Sequence, residues 1–119
     1  MKILKICWMD ETIKEGILTL STGNNKFEVF SHPCPFKEGD TIVKPLYACD
    51  AENIVRVDPQ QTYIKKVGNA FEHEILARVT DINEPLVCVG DILIKLGARL
   101  PGDICVGEFI LLRTDRIDS

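Results

Sequence analysis

The sequence has few of the residues from which catalytic and metal sites are usually built. It contains two histidines and one tryptophan, and aromatic residues make up 7% of the chain. No glycine-rich phosphate loop is present, and no cysteines have the close paired spacing that structural zinc requires. The best metal candidates are His32 and Cys34, with Cys7, Cys49 and His73 as remote partners. Because this set lacks paired spacing, we predict no metal and no other cofactor.

Nucleophilic catalysis is also poorly supported. A cysteine nucleophile needs a base within hydrogen-bonding reach, and Cys34 with His73 is the candidate pair. Neither residue lies in a local motif typical of such enzymes. We therefore predict that the protein is not an enzyme, although catalysis by the scattered acidic residues or by Cys34 remains open at this stage.

Long apolar runs and a disulfide pattern are absent as well. No stretch approaches the roughly 20 apolar residues of a membrane helix, and the apolar part of the first eleven residues is too short and too polar for a signal peptide. The five cysteines are an odd number, widely spaced and mostly flanked by apolar residues. Such cysteines are typical of buried side chains in a reducing compartment, so we predict a cytoplasmic protein.

The length and composition indicate an ordinary soluble domain. A chain of 119 residues with 45% hydrophobic and 27% charged residues fits one domain over residues 1–119. Fourteen basic and eighteen acidic residues give a net charge of -4. This charge argues against duplex nucleic acid or an anionic membrane as the main partner.

The residue patterns are mainly those of β-strands. Alternation is clear in Ile75–Thr80, and Ser21–Asn25 has the composition of a hairpin turn. The run Leu86–Leu96 is predicted as one strand bent at Gly90. The last strand should place Ile110 and Leu112 on one face, with Phe109, Leu111 and Arg113 on the other. Residues 50–57 fit either one short helix or a weak strand.

A glycine followed by an acidic residue precedes several predicted strands. It occurs at Gly39-Asp40, Gly90-Asp91, Gly102-Asp103 and Gly107-Glu108. Glycine permits a positive φ, and the carboxylate can accept hydrogen bonds from turn amides. Two copies extend into a weak half-repeat, residues 37–50 and 105–118, which either a duplicated half-barrel or chance in a short β-rich chain would produce.

The segment 106–118 resembles the closing strand of S1-type OB barrels, where a glycine-acid pair opens a strand that ends near Ile-Asp. Residues 36–42 are similar to the start of that segment. The resemblance covers about a quarter of the chain. Together with the β patterns, it leads us to expect a mostly β fold: a small, antiparallel, OB-like barrel with one short helix between residues 49 and 70.

Two binding functions follow from the distribution of charge. The acidic candidates for a partner-binding surface are Asp10, Glu11, Asp50, Glu52, Glu72 and Glu74. They favour a non-catalytic binding protein with a protein partner of basic character, such as an acidic inhibitor similar in size and charge to bacterial immunity proteins. The alternative is an OB-like domain that binds single-stranded nucleic acid through Tyr63, Lys65 and Lys66, the one place where a ring and positive charges adjoin.

Overall fold

The computed structural model describes residues 1–22, 25–68 and 71–119. Within these ranges the chain forms eleven strands and no helix, and therefore no helix able to span a membrane. The strands are β1 (Lys2–Asp10), β2 (Glu15–Thr22), β3 (Asn25–Ser31), β4 (Leu46–Cys49), β5 (Glu52–Val57), β6 (Tyr63–Lys66), β7 (His73–Asp81), β8 (Leu86–Val89), β9 (Ile92–Leu96), β10 (Phe109–Thr114) and β11 (Arg116–Asp118).

All eleven strands belong to one sheet, so the prediction of a mostly β fold is confirmed. The strand order is β1-β2-β3-β11-β4-β9-β8-β7-β10-β5, and β6 pairs with β7 beside this path. The sheet is mixed, because β4 pairs with β9 and β11 pairs with β3 in parallel. It is not closed into a barrel by strand pairing within the described residues, so the predicted antiparallel barrel is not confirmed.

The segment between residues 49 and 70 differs from the prediction of one short helix. It contains the strands β5 and β6, and residues 69 and 70 lie outside the described ranges. The alternative reading of residues 50–57 as a weak strand is correct, because β5 pairs with β10 over most of its length. The Ser21–Asn25 hairpin also forms through β2 and β3, but its residues 23 and 24 lie outside the described part of the chain.

One Greek-key unit and a second meander of similar layout make up most of the sheet. In the Greek-key unit β7, β8 and β9 form a meander, and β10 returns to pair with the free side of β7. In the other unit β1, β2 and β3 form the meander. Its returning segment makes one bridge, from Thr41 to Lys2 on β1. A fourth strand lying beside the first is the Greek-key arrangement.

The returning segments of the two units enter through turns of the same geometry. Gly39 and Gly107 have φ values of 92° and 91°. The carboxylates of Asp40 and Glu108 each accept a hydrogen bond from the backbone N–H three residues earlier, at 2.9 and 2.6 Å. Each glycine N–H donates to a carbonyl of the adjacent strand, β1 or β7, at 2.8 Å. The turns are alike in geometry, while the duplication of residues 37–50 and 105–118 stays a prediction.

The predicted strand Leu86–Leu96 is a hairpin of two strands. Gly90 has a φ of 59°, and it separates β8 from β9, which pair antiparallel from Val89 and Ile92 outward. This turn reverses the chain, so Leu86 and Cys88 lie half-buried, outside the core cluster that holds Ile92, Ile94 and Leu96. The alternation within each half is real, but it belongs to two strands.

The cysteines are less uniformly buried than predicted. Cys34 is buried, Cys49 and Cys88 are intermediate, and Cys7 and Cys105 are exposed. On β1, the neighbours on either side of Cys7 pack against the core, so the alternation of the strand turns Cys7 outward. Cys105 lies in the turn that leads to β10. The prediction of burial is therefore wrong for these two.

Candidate functional site

Four adjacent strands carry a row of apolar side chains on the face turned away from the core. Tyr63 pairs with Leu76, Leu76 with Leu111, and Leu111 with Val55, across β6, β7, β10 and β5. Directly paired residues point to the same side of a sheet, so these four side chains lie next to one another. With strands about 4.8 Å apart, this apolar row spans about 14 Å.

The apolar row lies outside the hydrophobic core. Leu76 is 2% exposed yet is not part of the core cluster, which takes its neighbours Ile75 and Ala77 instead. Val55, at the end of the row, is 50% exposed. A sheet that faces water on one side normally alternates apolar and polar residues. The chain itself buries Leu76, so the apolar surface left for another molecule to cover lies at the exposed Val55 and the half-buried Leu111 and Tyr63.

A charged row runs beside the apolar row, two residues further along β6, β7 and β10. Lys65 pairs with Glu74, Glu74 with Arg113, and Arg113 with Glu52, so the sign of charge alternates from strand to strand. The Glu72 carboxylate Oε2 also lies 4.0 Å from Nη1 of Arg113. Three of the acidic candidates predicted from the sequence are thus brought together, and two basic side chains balance most of their charge.

Tyr63 connects the two rows. Its phenol Oη donates a hydrogen bond to Oε2 of Glu74 at 2.7 Å. This bond to a carboxylate, together with partial burial, raises the pKa of Tyr63 above its ordinary value. The bond fixes the ring beside Leu76 and leaves the tyrosine as a neutral donor at neutral pH.

A third row completes the surface, which we call the outer face. Phe109 pairs with Val57 on one side and with Arg78 on the other. Arg78 pairs with Cys88, and Cys88 pairs with Leu93, which is 38% exposed. The outer face therefore consists of a charged, an apolar and a mixed row. Of its residues, the sequence-based candidates included Glu52, Glu74, Tyr63 and Lys65, but none of the apolar residues of β5, β7 and β10.

The other acidic candidates serve turns or are simply exposed. Oδ1 of Asp10 accepts hydrogen bonds from the N–H groups of Thr12 and Ile13, at 3.0 and 3.4 Å. Glu11 is exposed in the same turn, and Asp50 is exposed in the turn before β5 with a φ of 51°. An aspartate that caps turn amides in this way has a local structural role. The structure does not gather all six acids into one surface.

The three residues predicted to contact nucleic acid point in different directions. Tyr63 and Lys65 lie on the outer face, whereas Lys66 pairs with the buried His73 on the opposite side of β6. The Lys66 ammonium forms an ion pair with Oε1 of Glu28 on β3 at 2.8 Å. This contact joins β6 to β3, where no strand pairing is present among the described residues.

His73 is part of the same junction and is fully buried. Its Nδ1 lies 2.9 Å from the carbonyl oxygen of Phe71, and its Nε2 accepts the backbone N–H of Glu28 at 3.4 Å. Since a backbone N–H can only donate, Nε2 carries no proton and Nδ1–H donates to Phe71. Burial lowers the pKa of His73, consistent with this neutral ring.

Cys49 belongs to a cluster at the C-terminal strand. Its Sγ donates to Oδ2 of Asp118 at 3.4 Å, and Arg116 holds the same carboxylate at 2.7 and 3.0 Å. The Arg116 guanidinium also lies 4.2 Å from the centre of the Phe30 ring. Burial first, and the Asp118 charge second, raise the pKa of Cys49. A protonated thiol of this kind is a poor nucleophile.

The residues considered for a metal or a cysteine nucleophile are not assembled. His32 is exposed, while Cys34 is buried with its Sγ 4.0 Å from the carbonyl oxygen of Phe36. In the described part of the chain, no group of three or more His, Cys, Asp or Glu side chains is placed to hold a metal ion. His73 makes its hydrogen bonds to the backbone groups of Phe71 and Glu28, and Cys34 makes its own to Phe36.

Comparison with known proteins finds no matching family model, no matching curated protein and no matching solved structure.

Proposed function

We propose that the chain is a non-catalytic binding protein that docks another protein on the outer face. The observation that supports this is the apolar row, in which Val55 is exposed and Leu111 and Tyr63 are half-buried beside a Leu76 that the chain itself buries. Exposed apolar patches bordered by polar residues mark interaction sites in soluble proteins. Covering such a patch gains about 25 cal/mol for each Å² of apolar surface removed from water.

The charge of the chain favours a partner of basic character. The net charge is -4, and an acidic protein is steered toward a basic one by long-range attraction. A cytoplasmic inhibitor of a basic protein, comparable in size and charge to bacterial immunity proteins, is the specific form of this proposal. The balanced charges of the outer face imply that affinity comes mainly from the apolar row, while the net charge raises the association rate.

The test compares two valine-to-glutamate variants. Val55→Glu puts a charge at the exposed end of the apolar row, and Val43→Glu makes the same change at a valine that is 89% exposed and belongs to none of the three rows. A partner captured by the wild-type chain should be retained by Val43→Glu. Its affinity for Val55→Glu, measured by calorimetry with the purified partner, should fall at least about tenfold, or 1.4 kcal/mol. Equal binding by both variants contradicts docking on the outer face.

Single-stranded nucleic acid binding by an OB-like domain is the second candidate. It is favoured by the position of Tyr63 and Lys65 on one face with Arg78 and Arg113. Glu74 lies among these residues and accepts the Tyr63 hydroxyl, which weakens attraction for phosphates. Oligonucleotide binding that persists at about 0.2 M salt, and is lost in Lys65→Glu, would favour this function over protein docking.

A further inference from the structure

The two edge strands of the sheet, β1 and β5, differ in how far their free backbone groups are covered. At one end, β1 is partly covered: the N–H and carbonyl of Ile3 bond to Asp40 and Gly39 at 2.8 Å each, and the N–H of Ile6 donates to Oε1 of Glu38 at 3.2 Å. A carboxylate at an exposed strand edge opposes the addition of another strand. The chain therefore protects this edge along part of its length.

At the other end, β5 is uncovered. It pairs with β10 on one side, and no backbone hydrogen bond joins its other side to any described residue. Val55 is 50% exposed at this edge. An open groove of about 580 Å³ continues from the end of the strand, lined by Arg56, Val57, Asp58, Pro59, Gln60 and Glu108. The unpaired backbone groups and the groove leave room for an added strand.

The rows of the outer face end at this edge with a defined chemistry. The apolar row ends at Val55, and the charged row ends at Glu52 after Lys65, Glu74 and Arg113. Glu52 forms no ion pair with any described residue, whereas Arg56 is neutralised by Asp103 and Glu108 at 3.6 and 3.4 Å. A strand added at this edge would continue the charged row with a basic side chain beside Glu52. It would continue the apolar row with an apolar side chain beside Val55.

We infer that the partner docks by adding an extended strand to the free edge of β5, with a basic side chain beside Glu52 and an apolar one beside Val55. This inference rests on the proposed function and names the part of the partner that is recognised. The strand on the other side of β5 already has this pattern: Arg113 and Leu111 of β10 lie two residues apart, opposite Glu52 and Val55, which are three residues apart because the register shifts between the two pairs. Main-chain hydrogen bonds give affinity to such an added strand, and alternate side chains give specificity.

A second copy of the chain fits this edge less well. A copy that continues the apolar row would pair Val55 with its own counterpart across a two-fold axis. Because the register of β5 shifts between Val55 and Glu52, counting outward from that pair brings Glu52 next to Val57 of the copy, an apolar residue that leaves the carboxylate without an opposite charge. A segment of another protein with a basic side chain at this position continues the alternation of charge, which a second copy does not.

The experiment selects linear nonapeptides from a random displayed library against the folded full-length chain. We expect enrichment of peptides with Lys or Arg two residues from an aliphatic or aromatic residue. On binding, the backbone amides of β5 should shift in NMR spectra and exchange more slowly with solvent. Glu52→Lys should weaken the selected peptides at least about tenfold. Glu11→Lys, which makes the same charge change at an exposed turn residue, should not.

Each other outcome overturns the inference. Peptides that bind the outer face without protecting the β5 amides would leave protein docking there intact and refute strand addition. A concentration-dependent dimer that protects the same amides would make a second copy the occupant. Peptides without the basic residue, equal effects of the two charge reversals, or no selective enrichment would also refute it. The proposed function itself stands or falls separately, on the comparison of Val55→Glu with Val43→Glu.

Discussion

Acidification below about pH 6.5 should destabilise the protein through His73. The neutral ring donates from Nδ1 to Phe71 and accepts the N–H of Glu28 at Nε2. Protonation of Nε2 would set a second N–H against the Glu28 N–H and would place a charge in a fully buried position. The Glu28 carboxylate favours protonation and the Lys66 ammonium paired with it opposes protonation, but burial is the largest effect and keeps the ring neutral.

The sign of the effect follows from the direction of the pKa shift. Burial lowers the pKa of His73 in the folded state, so the unfolded chain binds this proton more readily. The stabilising contribution is complete above the unfolded value of about 6.5, and it is lost as the pH falls from there toward the folded pKa. For one proton the loss cannot exceed about 1.4 kcal/mol for each pH unit.

The two histidines of the chain provide the assay and its control. The free energy of unfolding, measured with urea between about pH 7.5 and 5, should fall less steeply in His73→Gln than in the wild type. His32→Gln, at an exposed position, should keep the wild-type slope. The absolute stability of His73→Gln will be lower, since its buried hydrogen bonds are changed, but the comparison uses only the slope. Equal slopes in all three proteins would refute a buried neutral His73.

Two further predictions concern close packing and thiol chemistry. Gly97→Ala should lower the melting temperature, because a Cβ there would lie 2.6 Å from the Tyr47 hydroxyl and 3.2 Å from the backbone oxygen of Ala48. Gly102→Ala, where a Cβ meets no atom within 4 Å, should leave the melting temperature unchanged. Asp118→Asn should lower the raised pKa of Cys49 and speed its alkylation at neutral pH, measured by peptide mass spectrometry. The acceleration should be partial, since burial, the larger cause of the raised pKa, remains; an unchanged alkylation rate would contradict the influence of Asp118.

Local patterns in the sequence predicted the strands well where alternation extends over many residues. Ile75–Thr80 is part of β7, and the two faces of β10 are as expected, with Ile110 and Leu112 buried and Arg113 exposed. The glycine-acid pairs at Gly90 and Gly107 do lead into strands. These features depend on neighbouring residues alone. Residues 50–57 were ambiguous because a short edge strand has no long alternation to set it apart from a helix.

The outer face depends on pairings that local patterns do not specify. Glu52 meets Arg113, and Tyr63 meets Leu76, only because distant strands pair in one particular register. A shift of one residue would turn each side chain to the other face. The sequence does contain one signal for the outer face: β10 is apolar on both sides, with Ile110 and Leu112 on one and Phe109 and Leu111 on the other. A strand apolar on both sides is normally covered on both sides.

The different treatment of the two sheet edges supports the same conclusion as the apolar row. An open edge next to an apolar surface favours aggregation, and proteins usually block it with charge, proline or covering loops. Here the β1 edge is blocked by Glu38 and the segment that contains Asp40. The β5 edge keeps Val55 exposed, and the backbone groups on that side of β5 bond to no residue within the described ranges. Since the same chain blocks one edge, the open edge is best explained as a binding site for a partner strand. Such a strand would cover the end of the apolar row and at the same time remove the risk of aggregation.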